Sequence, residues 1–584
     1  MTYVPPLSDM MFVLNHVARL EKLPEHPDYG VLDAETVGSI LEQAAQLAGD
    51  VLAPLNHTGD KNGCVWKDGN VATPPGFREA YKQYREGGWN AVPFPQTHGG
   101  QGLPWLVAFA VQEMWQGANM SFGLCPLLNQ GAIEAIEAHG SAAQKEEYLE
   151  KLISGEWAGT MNLTEPQAGS DLAAVRTRAV RAEDGTYKIT GQKIFITYGE
   201  HDFAENIIHL VLARLPDAPE GVKGISLFIV PKFLKDGTRN DLICSGIEHK
   251  LGIHASPTCT MQFGDNGGAT GYLVGKENEG LKYMFTMMNN ARLSVGLQGV
   301  AIAEAAYQHA LAYAKERVQG APLSKKESGG VAISDHADVK RMLLSMTSQI
   351  EAGRALTYEA ALALDLARAG DASMQARVDL LTPIVKSWCT DMAVEVASTG
   401  VQIHGGMGFI EETGAAQFYR DARILPIYEG TNGIQSADLA FRKILRDGGE
   451  ALKSFLKDLA HHIERLKTAK GDDLESIAAS LSGAHEAVSK ASAHIGKLSA
   501  EGADYVAAVS VPYLKALALL SGGVVMGRAA LAAQEALSEG GGDHAFLDHK
   551  ILHARFFAEN ILPQAKAHGD AVLSAARTIV SAEF

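Results

Sequence analysis

One short run holds the residue best suited to acid–base chemistry. Glu429 follows the apolar residues 424–428 and precedes a Gly-Thr-Asn-Gly segment. Because apolar surroundings disfavour a charged carboxylate, the pKa of Glu429 should rise toward that of a useful base. Thr431 or Asn432 can cap the helix predicted to follow, and the N–H groups of that helix favour a phosphate. An ordinary capping or surface carboxylate also fits this run, so the rest of the chain has to decide between the two interpretations.

A second candidate is the loop Met-Asn-Leu-Thr-Glu-Pro-Gln-Ala-Gly-Ser-Asp at 161–171. Gly169 frees the backbone there, while Thr164 and Ser170 offer hydroxyl groups. A loop of this kind can cradle a phosphate or the edge of a heterocycle. An ordinary Pro/Gly turn explains these residues equally well.

A third candidate is the run Lys-Ile-Phe-Ile-Thr at 193–197. Phe195 and Thr197 fall on the same side of a predicted strand. An aromatic face beside a hydroxyl group can hold a flat ring by stacking while it bonds the ring's heteroatoms. Core packing of Phe195 is the alternative.

Two arginines and a glycine loop complete the set. Arg317 near a helix C-terminus is explained by the helix dipole alone, and Arg292 in an apolar pattern is expected to be paired or buried. The run 402–409 has three glycines in four positions, which permits close approach of a ligand. His404 is expected to be structural, because no second histidine lies at metal-ligand spacing.

Composition excludes several classes of function. The 584 residues carry a net charge of -17 with no basic block, which argues against a nucleic-acid partner. Five scattered cysteines without a CxxC pair favour reduced thiols in a cytoplasmic protein over disulfides or a zinc site. No stretch approaches the roughly eighteen uninterrupted apolar residues of a membrane span.

The elements that must position these residues change type along the chain. Helical spacing dominates up to residue 153, short β-branched runs with turn signals follow to about residue 274, and helical spacing then returns. The β-rich part predicts a small barrel or sandwich, and the last 135 or so residues predict a structural helical addition. The predicted helices are 35–52, 107–114, 133–153, 284–317, 335–369, 373–399, 450–465, 473–498, 506–537 and 544–580.

The candidate runs, in this order, resemble the acyl-CoA dehydrogenase family, whose members are FAD flavoenzymes. Five collinear motifs carry the resemblance: Thr-Glu-Pro-x-x-Gly-Ser-Asp, Lys-x-Phe-Ile-Thr, Glu-Arg-x-x-Gly, Gln-x-x-Gly-Gly-x-Gly and Tyr-Glu-Gly-Thr-Asn. They span about residues 35–447, and the segments on either side resemble the longer branch of the family. The resemblance implies a mainly α, α+β fold with FAD held between the domains. The implied segments are an N-terminal extension (1–34), an N-terminal helical domain (35–156), a middle β-barrel (157–276), a C-terminal four-helix bundle (277–448) and an additional helical domain (449–584).

The resemblance also implies a role for each matching residue. Glu429 corresponds to the catalytic base, and no metal is implied. The implied FAD contacts are Leu163, Thr164, Ser170, Phe195, Thr197, Arg317, Gln402, Gly405, Gly406 and Thr431, and the implied substrate contacts are Ser170, Arg292, Tyr428 and Gly430. Of the FAD contacts, Arg317, Gln402, Gly405 and Gly406 would meet a FAD bound mainly by a second subunit. Three departures matter: Phe195 stands where many relatives have Trp, Gly433 stands where several have a larger residue, and 318–323 differ around the adenosine site.

The implied reaction is α,β-dehydrogenation of an acyl-CoA to the trans-2-enoyl-CoA, with Glu429 taking the α-proton and the flavin the β-hydride. The longer branch favours 3-(methylthio)propanoyl-CoA as substrate, although short-, medium- or longer-chain fatty acyl-CoAs stay open. An electron-transfer flavoprotein is the implied acceptor, and a homodimer or a dimer of dimers the implied assembly. An acyl-CoA oxidase and a non-catalytic acyl-CoA-binding protein are the rival interpretations.

Overall fold

The computed structural model describes residues 3–23, 32–324 and 329–584, so part of the predicted segment 1–34 lies outside the described residues. The α-helices are α1 (Leu7–Phe12), α2 (Ala34–Gln46), α3 (Ala53–Asn62), α4 (Phe77–Glu86), α5 (Trp105–Ala118), α6 (Met120–His139), α7 (Ala142–Ile153), α8 (Gly280–Glu316), α9 (Ala337–Arg368), α10 (Ala372–His404), α11 (Ala415–Ala422), α12 (Asn432–Ala437), α13 (Glu450–Thr468), α14 (Asp472–Glu501), α15 (Ala503–Ser538), α16 (His544–Phe556), α17 (Gln564–Ser574) and α18 (Ala576–Val580). The strands are β1 (Val65–Lys67), β2 (Asn70–Ala72), β3 (Trp157–Asn162), β4 (Arg178–Arg181), β5 (Tyr187–Thr197), β6 (Asn206–Arg214), β7 (Ile225–Pro231), β8 (Leu242–Ile247), β9 (Thr258–Phe263) and β10 (Ala269–Leu273). Short π-helical segments are Val13–Ala18, Leu47–Leu52, Asp438–Ile444 and Phe557–Ile561, and 3-10 segments are Leu20–Lys22, Trp89–Ala91, Gln96–His98, Leu172–Ala174, Gly221–Gly224, Ile333–Asp335, Gly405–Phe409, Glu411–Thr413 and Leu445–Asp447.

The middle strands form a barrel. The order β10-β7-β6-β4-β5 closes on itself because β10 also pairs with β5, while β9 and β8 continue from β5. Most neighbours are antiparallel, but β3 runs parallel to β6. Buried aliphatic and aromatic side chains from these strands fill the interior, among them Ile189, Val211, Phe228 and Phe263. The predicted barrel is therefore confirmed.

The predicted helix 133–153 is wrong, because the structure divides it. α6 ends at His139, Gly140 adopts an extended conformation, and α7 starts after Ser141. Ser141 and Gln144 form a capping box, in which each side chain bonds the other residue's backbone N–H. The predicted helix 544–580 is divided in the same way at Pro563, between the π-helical turn 557–561 and α17.

The chain divides into two compact units. The first contains Gln46–Ala108 and Ala118–Ser294, and so includes the barrel and helices α3, α4, α6 and α7. Within it, a cluster of rings from Tyr81, Tyr84, Phe122 and Phe203 forms an aromatic core. α6 also lies directly against β3, where a Cβ on Gly159 would come within 2.2 Å of the Ala132 Cβ.

The second unit contains Tyr3–Ala45, Phe109–Gly117 and Val295–Phe584. Its long helices α9, α10 and α15 pack against one another. Trp388 of α10 meets Phe557 edge-on, with ring centroids 6.3 Å apart. α15 and the turn at Phe557 therefore share a core with α9 and α10.

A cluster of buried charges, here called the Arg354 cluster, joins distant parts of the second unit. The guanidinium of Arg354 on α9 bonds the carboxylates of Asp9, Glu113 and Glu304, with 2.8 Å from Nε to Glu113 Oε1 and 2.9 Å from Nη2 to Glu304 Oε2. Lys550 of α16 bonds Asp9 as well. Because a buried charge is costly unless it is paired, these contacts lock residues 3–23 and α16 onto α9.

Among the described residues, one helix is long and apolar enough to cross a bilayer. It is α15, whose most apolar eighteen-residue window has a mean hydropathy of 1.7. Within the fold, 83% of that window is buried. Burial in a helical core explains its composition.

Candidate active site

Glu429 lies in a tight loop between α11 and α12 with an unusual backbone. Its φ is +56°, and Gly430 follows with a φ of +85°. A residue with a Cβ rarely occupies this left-handed region, and backbone strain of this kind is concentrated at functional sites. The side chain is half-buried. The structure therefore holds a partly accessible carboxylate on a strained main chain.

Several buried polar groups hold this loop. The Gln435 amide on α12 donates to the carbonyl oxygens of Glu429 (3.2 Å) and Gly430 (3.3 Å). Lys386, fully buried on α10, donates to Leu425 O at 3.1 Å and to Gly430 O at 2.8 Å. These bonds supply donors to carbonyl groups in a turn that lies outside any helix or strand.

A second chain of hydrogen bonds starts at Tyr428. Its hydroxyl donates to Gln298 on α8, and Gln298 Nε2 donates to Gln116 Oε1 on α5 at 3.0 Å. Burial, with a smaller contribution from the Glu429 carboxylate, raises the pKa of Tyr428 well above its usual value. The phenol therefore keeps its proton and stays a donor to Gln298.

In the first unit, the loop 163–170 lies beside β5. Lys193 Nζ donates to Leu163 O at 2.9 Å, and the Ile194 N–H donates to Thr164 O at 2.9 Å. Lys193 also pairs with Glu165 at 2.7 Å, with both side chains almost fully buried. The structure thus brings together the second and third sequence candidates.

Glu165 anchors this loop as a charged group. Its carboxylate accepts the Thr177 hydroxyl at 2.6 Å and the Arg176 N–H at 2.7 Å, besides the bond from Lys193. Burial opposes the charged form, but the Lys193 ammonium and these hydrogen bonds together lower the pKa of Glu165. Burial lowers the pKa of Lys193 to about 8. Sequence reasoning quoted both residues in motifs and missed that they pair.

Phe195 presents its ring on the open face of β5. The strand carries an irregularity between Lys193 and Ile196, and Phe195 has a φ of +59°. Its side chain is 58% exposed, whereas the neighbouring Ile196 is buried and Thr197 half-buried. Core packing, the alternative interpretation of Phe195, is therefore wrong.

In the second unit, the ends of α8 and α10 meet. The Tyr313 ring stacks on His404 with centroids 4.4 Å apart, and His404 Nδ1 bonds Gly400 O at 2.7 Å. Arg317 lies just beyond α8, four residues after Tyr313, while Gln402 and the glycine loop flank His404. Arg317, Gln402, Gly405 and Gly406 are all exposed. A structural role for His404 follows, as expected.

Arg292 is only 5% exposed, and its guanidinium lies 5.9 Å from the centroid of the Phe285 ring. The expectation that it is buried or paired is confirmed, while its role as a substrate contact stays a prediction. No group of three or more His, Cys, Asp or Glu side chains in the described part of the chain could hold a metal ion.

The residues present fit FAD. A large exposed aromatic ring beside the hydroxyl of Thr197 offers a stacking face. No atom outside the adjoining residues lies within 4 Å of a Cβ placed on Gly405 or Gly406, so their backbone is open to a ligand. Thr431 is exposed at the N-terminus of α12, where its Oγ1 accepts the Ile434 N–H at 3.3 Å.

Comparison with known proteins gives a consistent result over nearly the whole chain. Family models for acyl-CoA dehydrogenases match the N-terminal domain at 38–156, the middle domain at 160–266 and the C-terminal domain at 278–444. A model of the acetyl-CoA dehydrogenase C-terminal-like domain matches 450–583.

Individual relatives are similar over comparable lengths. A Ruegeria pomeroyi protein described as 3-methylmercaptopropionyl-CoA dehydrogenase is 49% identical, covering 98% of this chain and 100% of that protein. A butyryl-CoA dehydrogenase of Syntrophomonas wolfei is 36% identical, covering 96% of this chain and 95% of that protein. A solved acyl-CoA dehydrogenase of Bacillus anthracis, complexed with FAD, has the same fold, with a TM-score of 0.75 at 22% identity over 94% of this chain and 91% of that one. The chain therefore belongs to the acyl-CoA dehydrogenase family and is an FAD-dependent oxidoreductase that acts on acyl-CoA.

Proposed function

We propose that this enzyme converts 3-(methylthio)propanoyl-CoA to 3-(methylthio)acryloyl-CoA in the degradation of dimethylsulfoniopropionate. The observation that carries the proposal is the near-full-length similarity to the Ruegeria pomeroyi protein. A thioether sulfur is close to a methylene in size and polarity, so butanoyl- to hexanoyl-CoA fit the same pocket chemistry. A fatty acyl-CoA dehydrogenase of β-oxidation is the second candidate, and the butyryl-CoA dehydrogenase among the relatives supports it.

Glu429 is the general base in this proposal. It removes the α-proton of the thioester, and its strained, half-buried position supports that role. Bound FAD supplies the two-electron acceptor for the hydrogen that leaves the β-carbon. Tyr428 contacts the substrate through its ring or its main chain, because its hydroxyl donates a hydrogen bond to Gln298.

The remaining site assignments also belong to the proposal. A loop, an aromatic ring and hydroxyl groups are the proposed FAD contacts within the first unit. Within the second unit, an arginine, an amide and a glycine loop contact a FAD bound mainly by a second subunit, and the helix cap Thr431 faces the flavin's phosphates. The proposed FAD contacts are Leu163, Thr164, Ser170, Phe195, Thr197, Arg317, Gln402, Gly405, Gly406 and Thr431, and the proposed substrate contacts are Ser170, Arg292, Tyr428 and Gly430.

The electron acceptor, the cellular location and the oligomeric state are proposed from the same family. Electrons leave for an electron-transfer flavoprotein, and the enzyme works in the cytoplasm as a homodimer or a dimer of dimers. Apolar side chains near the ends of α8 and α10 support an assembly, since Leu323 is 89% and Phe409 87% exposed. Light scattering on the holoenzyme tests the subunit number, and a monomer contradicts it.

The base is tested by Glu429→Gln. The amide cannot take a proton, so turnover with ferrocenium as acceptor should fall by about a thousandfold or more while FAD stays bound. Glu412→Gln, at an exposed carboxylate on the loop after α10, is the matched control and should retain wild-type turnover. Substantial turnover by Glu429→Gln would place the base elsewhere.

The substrate is tested by kcat/KM over a panel of acyl-CoAs that includes the thioether. The highest value should belong to 3-(methylthio)propanoyl-CoA, and a higher value for a straight chain would favour the second candidate. Peroxide yield under air, set against turnover with ferrocenium, separates a dehydrogenase from an oxidase.

A further inference from the structure

Lys386 is a buried ammonium whose hydrogen bonds converge on the Glu429 loop. It is fully buried on α10, and its Nζ donates to Leu425 O (3.1 Å), Gly430 O (2.8 Å) and Asn432 Oδ1 (2.9 Å). An ammonium has three N–H donors. These acceptors lie on both sides of Glu429 in sequence, so one side chain spans the turn that carries the carboxylate.

The acceptors explain why a lysine occupies this position. Burying a charge costs free energy, and an apolar residue of similar volume serves packing alone at least as well. The Glu429 turn has left-handed residues at 429 and 430, and their carbonyl groups accept hydrogen bonds from the side chains of Lys386 and Gln435. Charge-assisted bonds from a fixed donor hold such carbonyl groups in one orientation.

Asn432 forms further hydrogen bonds between this loop and α10. Besides accepting from Lys386, its amide donates to Ser387 O at 3.1 Å and to Asp391 Oδ1 at 2.7 Å. Asp391 in turn pairs with Lys515 of α15 at 3.4 Å. The main chain around Glu429 is thus bonded to α10 through the side chains of Lys386 and Asn432.

We propose that Lys386 is a positioning residue for the dehydrogenation: it holds the main chain at 425 and 430 so that the Glu429 carboxylate keeps one direction. The inference rests on the proposed role of Glu429 as base. Lys386 holds the turn through its bonds to the carbonyl groups of Leu425 and Gly430. A small misplacement of a reacting group is enough to slow proton transfer strongly, so loss of this hold should appear in kcat.

The first test is Lys386→Met, which removes the ammonium and keeps the length of the side chain. We expect kcat with ferrocenium to fall roughly 10- to 100-fold, with KM changed less than about threefold and FAD still bound one per chain. If the Met variant does not yield holoenzyme, Lys386→Leu, which also removes every donor, takes its place in every measurement. Wild-type kcat in either holoenzyme overturns the proposal.

The second test is a double-mutant cycle with Glu429→Asp, whose shorter side chain already misplaces the carboxylate. If Lys386 works through Glu429, Lys386→Met should cost less than about threefold in the Glu429→Asp background, because coupled residues are not additive. An equal loss in both backgrounds assigns Lys386 a general structural role and overturns the proposal.

Lys550→Met is the matched control. Lys550 is a comparably buried ammonium in the same unit, bonded to Asp9 and to Glu351 Oε2 at 2.8 Å. Its loss should lower Tm and leave kcat per bound FAD unchanged. The two proposals can fail separately. Activity in Glu429→Gln would contradict the role of Glu429 as base. An inactive Glu429→Gln together with a fully active Lys386→Met would contradict only the positioning role of Lys386.

Discussion

The second unit holds carboxylates in two contrasting settings. In the Arg354 cluster, Asp9, Glu113 and Glu304 are buried on helices and held by a guanidinium. Glu429 is half-buried on a strained loop whose main chain, rather than its carboxylate, receives the bonds of Lys386 and Gln435. In the first setting the cation holds the carboxylates themselves, whereas in the second the bonds of Lys386 and Gln435 hold the main chain that carries a half-buried carboxylate.

This contrast separates stability from activity. Changes in the Arg354 cluster should alter the free energy of unfolding and spare turnover. Changes around Glu429 should alter turnover and cost less stability.

The largest effect should follow Arg354→Met. It leaves three buried carboxylates without their guanidinium, and breaking a buried ion pair from one side costs about 3–5 kcal/mol. We expect a lower free energy of unfolding in urea and a kcat per bound FAD within about twofold of wild type. Arg341→Met is the control, because Arg341 on the same helix is 58% exposed and pairs with nearby Asp338. A large loss of kcat in Arg354→Met would erase the distinction between the two settings.

Acid should weaken the Arg354 cluster through Asp9. Burial alone would raise the pKa of Asp9, but Lys550 and Arg354 lower it to about 2 from its usual 3.8. Since the folded pKa is the lower one, the stabilisation is complete above about pH 4 and is lost as the pH falls toward about 2. Its size is about 2 kcal/mol. Unfolding free energies of wild type and Asp9→Asn, measured across this window, should converge as the pH falls, and parallel curves would contradict the assignment.

Tyr428→Phe probes the loop by removing the donor to Gln298. The buried Gln298 oxygen loses its bond, which costs about 1–2 kcal/mol, and the residue before Glu429 loses a tether. We expect kcat to fall roughly five- to tenfold, equal to about 1–1.4 kcal/mol of barrier. Gln116→Leu, at the far end of the same chain of bonds, should reduce kcat less. An unchanged kcat in Tyr428→Phe would show that this tether does not guide the carboxylate.

The smallest effect should come from Thr431→Ala. The change removes the cap of α12, a loss worth about 1 kcal/mol, and one proposed FAD contact. Thermal unfolding should shift down slightly, and FAD should dissociate more readily on dilution. Thr431→Ser keeps the hydroxyl and should behave as wild type. Equal FAD affinity in Ala and wild type would remove Thr431 from the cofactor site.

Hydrophobic spacing along the chain predicted the bounds of several long helices well. The predicted helix 335–369 compares with α9 at Ala337–Arg368, and the predicted helix 373–399 compares with α10 at Ala372–His404. The break between α6 and α7 was also within reach, because Ser141 and Gln144 have the spacing of a capping box. Helical spacing alone obscured it. The division of the chain into five segments stays a prediction.

The site was predictable only as motifs. Glu429, Phe195 and the glycine loop stand in short runs that sequence reasoning can recognise. Lys386 does not, because a lone lysine between Val385 and Ser387 looks the same whether its head group reaches solvent or a buried carbonyl. The left-handed φ of Glu429 goes with a bond to Gly430 from Lys386, 44 positions away, and no local propensity of a glutamate encodes it.

The bond between Asp9 and Lys550 joins residues 541 positions apart. At about 5–20 residues per second, a ribosome needs roughly half a minute to two minutes to travel between them. Throughout that interval the segment around Asp9 has been made, but its lysine partner does not yet exist. The contact between Asp9 and Lys550 therefore forms late in synthesis. Chains that end before α16 lack this contact and should be degraded more readily.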